Sequence, residues 1–171
     1  MDKLMDACET LQDKAMLEIG ISLGLRREDM VRLRVANINF EDHTISYTEK
    51  KKHGAIRTKR MEKSLEQTLK MYTATIRGSV FLFCYGNSKW GDRSLYNRLQ
   101  ELCKRAGVRP RKFHALRATC IKFHQKAGWK PEECAALIND TPQVVMMHYA
   151  TPSTSEMNEL TDRSGVLGGE L

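Results

Sequence analysis

Apolar residues recur at steps of three and four along most of the chain, which is the spacing of amphipathic helices. Between Asp2 and Gly24 this spacing predicts two helices that break near Leu11–Asp13, and Gly24 marks their end. Arg27 begins a further short helix, whose acidic first turn suits the helix dipole. The remaining predicted helices are Glu62–Arg77, Arg93–Ala106, Lys112–Ala127, Pro131–Ile138, a helix from Pro142 through Tyr149, and a short one at Ser155–Leu160.

One region follows the two-residue alternation of β-strands instead. Asn37–Phe40, Thr44–Thr48 and Ala55–Met61 alternate in polarity or are β-branched, and short turn-like segments separate them. The apolar run Val80–Cys84 is too short for a buried helix and is predicted to be a strand or an extended core segment. The pattern as a whole therefore predicts an α+β fold that is mainly α-helical with a small three-stranded antiparallel sheet.

Composition narrows the class of protein. The 171 residues suffice for one domain, and 28 Lys and Arg against 21 Asp and Glu give a net charge of +7, which indicates a polyanionic partner. No apolar stretch approaches the ~18 residues of a membrane span and no signal peptide is present, so a membrane or secreted protein is not expected. The 5 cysteines form no Cys-x-x-Cys pair, so they indicate reduced intracellular thiols rather than disulfides or a zinc site.

Three local features are candidates for chemistry. Arg26 follows Gly24 at the junction of two predicted helices, where a side chain can be held rigidly over a groove. The segment Lys50–Arg60 places cations in and beside a hairpin turn that could lie along a duplex backbone. His114 and Arg117 lie three apart on one helical face, and Tyr149 follows one helix later. Each feature alone is more common as an ordinary part of a protein surface, so their order along the chain carries the information.

Taken in order, these features resemble the catalytic domain of the tyrosine recombinases, the phage-integrase family. Gly24–Arg26, followed by Asp29, is similar to the Gly-Leu-Arg box of the family. His114–Arg117 reads His-Ala-Leu-Arg and matches the second box, His-x-Leu-Arg. Lys52–Gly54 looks like the Lys-x-Gly turn between the second and third strands, and Tyr149 precedes a small residue as the family's nucleophile does.

The resemblance covers the chain from Leu4 to Leu160. It implies the tyrosine recombinase catalytic-domain fold over residues 1–160, with a mobile C-terminal tail at 161–171 and with the family's N-terminal core-binding domain absent. The partner that it implies is a double-stranded DNA attachment site. Because the family's C-terminal segment docks onto a neighbouring protomer, it also implies self-assembly, as a tetramer on DNA. An intracellular location on DNA and no membrane association follow.

The resemblance further implies a site-specific DNA recombinase or integrase that cuts and rejoins strands through a covalent 3′-phosphotyrosyl intermediate. Tyr149 would be the nucleophile, and Arg26 and Arg117 would fork onto the phosphate oxygens. Lys52 would protonate the leaving 5′-oxygen, and His114 would hold the phosphate or accept the tyrosine proton. The covalent bond conserves the phosphodiester energy, so no cofactor, metal or ATP is expected.

The basic residues beside the site are expected to contact DNA. Lys50 or Lys51 could serve in place of Lys52 if the register of the turn differs. The cations expected on the DNA backbone are Lys50, Lys51, Arg57, Lys59, Arg111 and Lys112.

One position departs from the family pattern. Nine residues before Tyr149, where the family has a His or Trp that donates to the scissile phosphate, this chain has Asp140. A carboxylate facing a phosphate would repel it. Asp140 is therefore expected to point away and cap the following helix, a role favoured over a catalytic one, with Asn139 as a candidate neutral donor.

Two alternatives remain open beside a recombinase that integrates or excises a viral or other mobile element. A type IB topoisomerase-like relaxing enzyme would share the Arg, Lys, His and Tyr chemistry, although the small size and the two boxes favour the recombinase. A catalytically silent DNA-binding module on the same fold is supported in the sequence only by Asp140.

Overall fold

The computed structural model describes residues 1–50, 54–86, 88–148 and 158. Within them the chain forms a mainly helical fold with a small sheet, as predicted. The helices are α1 (Asp2–Asp6), α2 (Leu11–Glu18), α3 (Arg27–Met30), α4 (Lys63–Thr75), α5 (Asp92–Arg105), α6 (His114–Lys126), α7 (Pro131–Ile138) and α8 (Pro142–His148). A π-helical turn, Ile19–Leu23, continues α2, and a 3₁₀ turn, Val35–Asn37, precedes the strands β1 (Ile38–Asn39), β2 (Thr44–Glu49), β3 (Ala55–Arg60), β4 (Cys84–Tyr85) and β5 (Ser88–Lys89).

The three-stranded antiparallel sheet is confirmed, with the order β1-β2-β3. Its register places Ile45 opposite both Ile38 and Lys59. Alternation along β2 then puts Ile45, Tyr47 and Glu49 on the buried face. The face that packs on the helices therefore ends in a buried carboxylate, Glu49, at the tip of the sheet that is nearest to Arg26.

Helix α6 lies directly against the π-helical turn. A Cβ added to Gly20 would lie 2.8 Å from Cδ1 and 3.0 Å from Cβ of Leu116, so any larger residue would force the Leu116 side chain to shift. On its other side α6 packs on α7 and α8 through a small apolar cluster that includes Cys120, Cys134 and Val145. This packing fixes the start of α6, where His114 and Arg117 lie.

Two predicted boundaries differ from the structure. The first helix ends at Asp6, and the next begins after Thr10 rather than breaking within Leu11–Asp13. The reason is a capping box, in which the Asp13 N–H donates to the Thr10 hydroxyl and the Thr10 N–H donates to the Asp13 carboxylate. The run Val80–Cys84 is non-helical as predicted: Leu82 and Phe83 are buried, Cys84 belongs to a strand, and Phe81 forms an isolated bridge with Arg34.

Some predictions lie outside the described residues. Of the predicted helix at Ser155–Leu160 only Asn158 is described, and the tail at 161–171 is not. All 5 cysteines are free thiols. In the described part of the chain, no helix is both long enough and apolar enough to cross a membrane.

Candidate active site

The position of Arg26 follows from the turn before it. Gly24 ends the π-helical turn with a φ of +59°, a left-handed conformation that favours glycine. A Cβ on Gly24 would also meet Cγ2 of Ile138 at 2.9 Å and Sγ of Cys120 at 3.2 Å. The chain then extends through Arg26 into α3, and the Arg26 side chain is only 15% exposed. A glycine is therefore required two residues before the arginine, for both its conformation and its size.

Arg117 joins the two sequence boxes by direct hydrogen bonds. Its Nη1 donates to the carbonyl of Gly24 at 2.6 Å, and its Nη2 donates to the carbonyl of Ile138 at 2.7 Å. The side chain is 2% exposed, so these bonds set the place of the guanidinium without help from solvent. Arg26 and Arg117, which are far apart in sequence, therefore meet at the Gly24 turn.

A cavity of about 620 Å³ opens over the two arginines. His114, which is exposed one helical turn before Arg117, lines the same cavity, as does the exposed Lys112. The structure thus brings Arg26, His114 and Arg117 around one space that is open to a ligand from solvent. Arg111, next to Lys112, is exposed as well.

Two carboxylates lie against the arginines. Arg26 donates to Glu49, which is fully buried, and its Nη2 lies 3.3 Å from Oδ2 of Asp140. Nη2 of Arg117 lies 3.1 Å from the same Asp140 oxygen. Burial alone would raise the pKa of Asp140, but the hydrogen bond from Arg117 and the nearby positive charges hold it below its ordinary value. Asp140 is therefore ionised at neutral pH and faces both guanidinium groups.

The prediction that Asp140 points away and caps the next helix is wrong. The cap of α8 is Thr141, whose hydroxyl accepts from the Val144 N–H at 3.3 Å. Asn139 ends α7 in a left-handed conformation with a φ of +53°, and the chain turns there. Attraction to two guanidinium groups decides the direction of the Asp140 side chain. The side-chain amide of Asn139 donates a hydrogen bond to the Glu49 carboxylate.

Sequence reasoning did not identify Glu49 as part of the site. Besides Arg26 and Asn139, it pairs with Nε of Arg57 at 3.7 Å. The signal that could have found it is the alternation Ile45, Tyr47, Glu49, which places the carboxylate on the buried face of β2.

The basic turn is described only at its two ends. Nζ of Lys50 lies 3.4 Å from the Glu28 carboxylate, and the backbone N–H of Lys50 donates to the Asp29 carboxylate at 3.0 Å. Gly54 closes the turn by donating its N–H to the Glu49 carbonyl at 3.1 Å. Lys51 and Lys52 lie outside the described residues, as does Tyr149, so their roles stay predictions.

Lys59 is oriented differently from a lysine that reaches for a DNA backbone. Its Nζ donates to the carbonyl of Leu23 at 2.5 Å and lies 5.3 Å from the centre of the Tyr47 ring. Burial lowers its pKa to about 7. Lys59 pairs with the buried Ile45 and Arg57 with the buried Tyr47, so the register puts both side chains on the face of the sheet that packs on the helices. Arg57, by contrast, keeps 47% of its side chain exposed.

Comparison with known proteins identifies the family of the chain. The family model described as "Phage integrase family" matches residues 1–155. The chain belongs to the phage integrase family. No curated protein matches it in sequence at a significant level.

Solved structures show the phage integrase fold directly. The crystal structure of XerA recombinase superposes with a TM-score of 0.83 at 16% identity, covering 95% of this chain and 62% of that chain. The Tn1549 transposon integrase in complex with a circular intermediate DNA gives a TM-score of 0.76 at 16% identity, covering 95% and 62%. A lambda integrase dimer bound to a COC′ core site gives a TM-score of 0.72 at 16% identity, covering 90% of this chain and 58% of that chain. The chain therefore has the tyrosine recombinase catalytic-domain fold and spans less than two thirds of these relatives.

Among the described residues, no group of three or more His, Cys, Asp and Glu side chains is placed to hold a metal ion.

Proposed function

We propose that this chain is the catalytic domain of a site-specific DNA recombinase that cuts and rejoins strands through a 3′-phosphotyrosyl bond to Tyr149. The observation that carries the proposal is the convergence of Arg26 and Arg117 on a single oxygen, at 3.3 and 3.1 Å. Two guanidinium groups that share one carboxylate oxygen are spaced to share one phosphate oxygen. The cavity above them, with His114 on its wall, leaves room for a duplex backbone.

The chemistry follows from charge. Attack by the Tyr149 oxygen forms a P–O bond and breaks the bond from phosphorus to the 5′-oxygen, and negative charge develops on the non-bridging oxygens. Arg26 and Arg117 stabilise that charge from fixed positions. His114 holds the phosphate or accepts the tyrosine proton, and Lys52 supplies a proton to the departing 5′-oxygen. Reversal with a different 5′-hydroxyl rejoins the strands without ATP.

The wider setting is part of the same proposal. A net charge of +7 suits a polyanion, and the exposed Arg57, Arg111 and Lys112 are available for contacts with DNA phosphates. The substrate is a double-stranded attachment site, on which the chain assembles with itself as a tetramer inside a cell. The domain extends over residues 1–160, with a tail at 161–171. The biological outcome would be integration or excision of a viral or other mobile element.

One observation favours a second function, a DNA-binding module without catalysis. The Asp140 carboxylate accepts hydrogen bonds from both arginines, and it lies at the position where a donor to the phosphate is expected. A chain of this kind would bind duplex DNA and form no covalent bond to it.

Covalent capture from randomised DNA distinguishes the two functions and identifies the target sequence in the same experiment. The chain is incubated with a labelled library of randomised duplexes, each nicked so that cleavage releases a short strand. Protein-linked DNA is then recovered under denaturing conditions and sequenced. We expect an adduct with the wild type and with Tyr85→Phe, an exposed tyrosine away from the cavity, and none with Tyr149→Phe.

Variants of the arginines complete the test. Arg26→Ala and Arg117→Ala should lower the adduct yield by about 100-fold or more, because each removes a cation from the developing charge. DNA binding without an adduct in the wild type would leave the silent module as the function. Relaxation of supercoiled plasmid without strand exchange would indicate the topoisomerase-like activity.

A further inference from the structure

Asp140 occupies the place between the two arginines that the proposed mechanism assigns to the scissile phosphate. Its Oδ2 accepts from Nη2 of Arg26 and from Nη2 of Arg117. Resting on the proposed function, we propose that Asp140 is an internal ligand of the arginine pair, which a phosphate must displace before the strand can be cut. Asp140 is then a gate on the site rather than a cap of α8.

The remaining terminal nitrogens of the arginines are engaged elsewhere. Nη1 of Arg117 is bound to the Gly24 carbonyl, and Nη1 of Arg26 is bound to Glu49. The two Nη2 atoms share the Asp140 oxygen, and Nη2 of Arg117 donates to the Ile138 carbonyl as well. A phosphate oxygen bridging the arginines has to compete for these same donors.

Charge opposes coexistence of the carboxylate and a phosphate. Two guanidinium groups face two carboxylates, Glu49 and Asp140, so the four groups together are neutral. Adding a phosphate while Asp140 stays in place would put two anions within a few ångströms of each other. Moving Asp140 aside leaves a net positive charge for the phosphate to neutralise.

The two carboxylates differ in their freedom to move. Glu49 is fully buried and is held by Arg26, Arg57 and Asn139. Asp140 is 26% exposed, lies in the short link between α7 and α8, and its other oxygen, Oδ1, already accepts from the Thr141 N–H at 3.2 Å. Among the described residues, the Asp140 carboxylate has one partner besides the arginines, and that partner is on the neighbouring residue. Glu49 is therefore a fixed part of the site, and Asp140 is the displaceable one.

The test measures binding of inorganic phosphate to the full chain with ¹⁵N-arginine labelling, at pH 7 and constant ionic strength. The Nε–H resonances of Arg26 and Arg117 report occupancy. We expect Asp140→Asn to bind phosphate about tenfold more tightly than the wild type, because one like charge is removed. Asp140→Glu, which keeps the charge, should resemble the wild type. Asp6→Asn, an exposed carboxylate on α1, is the control for net charge and should change nothing.

A second measurement needs no substitution. In the wild type, the ¹³Cγ resonance of Asp140 should shift as phosphate is added, and it should follow the same binding curve as the arginine resonances. Equal or weaker phosphate binding by Asp140→Asn would overturn the proposal, and so would an Asp140 resonance that does not move.

Failure of the gate and failure of the recombinase function give different results. If the gate is wrong but the function is right, the covalent adduct forms and Asp140→Asn leaves phosphate binding unchanged. If the function is wrong, no adduct forms even with Asp140→Asn, whatever the phosphate titration shows. If both are right, Asp140→Asn forms the adduct at least as fast as the wild type.

Discussion

Two arginine–carboxylate clusters in this molecule use the same groups in different ways. At the start of α2, Asp13 receives both Nε and Nη2 of Arg98, at 2.5 and 2.7 Å, and its carboxylate is fully buried. At the candidate site, one oxygen of Asp140 is shared between two arginines at 3.1 and 3.3 Å and remains partly exposed. In the bidentate Arg98–Asp13 pair, each carboxylate oxygen accepts from its own arginine nitrogen, so the pair offers no site for a second anion. The looser sharing at Asp140 is an arrangement that another anion can replace.

The surroundings of the clusters reinforce the contrast. Asp13 also takes part in the capping box of α2, so it serves the helix as well as Arg98. Asp140 serves no helix, because Thr141 caps α8. One carboxylate is therefore part of the structure, and the other is held mainly by the cations that it faces.

The largest expected loss of stability comes from removing Arg98 from its pair with Asp13. Arg98→Met leaves the buried Asp13 charge without its partner, which should lower the free energy of unfolding by about 3–5 kcal/mol. Urea denaturation measures it, with Arg93→Met, an exposed arginine on the same helix, as the control. If the two variants unfold alike, the Asp13–Arg98 pair does not stabilise the fold and the contrast fails.

The next effect separates the two arginines of the site. Arg117→Lys should lower the free energy of unfolding by about 1–3 kcal/mol, because a single nitrogen then replaces the two that donate separately to the carbonyls of Gly24 and Ile138. Arg26→Lys should lower the free energy of unfolding by less than Arg117→Lys does, since a lysine can still pair with Glu49. The same urea experiment ranks them. An Arg26→Lys variant that is less stable than Arg117→Lys would contradict the assignment of Arg117 as the structural anchor.

The stability contributed by Asp13 and by Asp140 should depend on pH to different extents. Burial would raise the pKa of Asp13, but hydrogen bonds from Arg98 and Thr10 hold it below its ordinary value. A lowered pKa in the folded state adds stability above the unfolded value of about 3.9, and this stability is lost as pH falls through the folded value. The stability difference between wild type and Asp13→Asn should therefore be full above about pH 5 and shrink below about pH 4.

Asp140→Asn should show the same trend with a smaller amplitude, because the carboxylate is 26% exposed and water screens it. The measurement is the urea midpoint as a function of pH, from neutral solution down through the acid range. A larger acid effect at Asp140 than at Asp13 would reverse the comparison.

The smallest effect concerns the threonines beside the two carboxylates. Thr10→Ala should cost about 1 kcal/mol because it removes half of a capping box, and Thr141→Ala about 0.5 kcal/mol because its single bond is exposed. Thermal unfolding with the Thr→Ser variants as controls measures both. Equal costs would mean that Asp13 adds nothing to its cap.

Much of the fold could be predicted from periodicity. The helices at Glu62–Arg77, Arg93–Ala106 and Pro131–Ile138 match α4, α5 and α7 within a few residues, because their apolar stripes are regular. Hydrophobic spacing predicts the break before α2 too late, although the cap residues Thr10 and Asp13 carry the signal. A local hydrogen bond decides that boundary, and the spacing of apolar residues does not record it.

The site could be predicted only as far as its motifs. The boxes at Gly24–Arg26 and His114–Arg117 indicate which arginines belong together, and the structure places them around one cavity. The contacts of Glu49 and Asp140 depend on the packing of β2 and α7 against the Gly24 turn, which no local pattern encodes. Charge alone predicts Lys59 as a DNA contact, whereas its ammonium donates inward to the Leu23 carbonyl.

The carbonyls that hold Arg117 lie at the ends of two helical segments. Gly24 terminates the π-helical turn and Ile138 is the last residue of α7, so both carry the partial negative charge of a helix C-terminus. The cation is thus solvated by two backbone dipoles in place of water. These two carbonyls hold the guanidinium from one side while Asp140 pairs with it, so a movement of Asp140 leaves both backbone contacts of Arg117 in place. A phosphate that displaces Asp140 therefore meets an Arg117 guanidinium that is already in place.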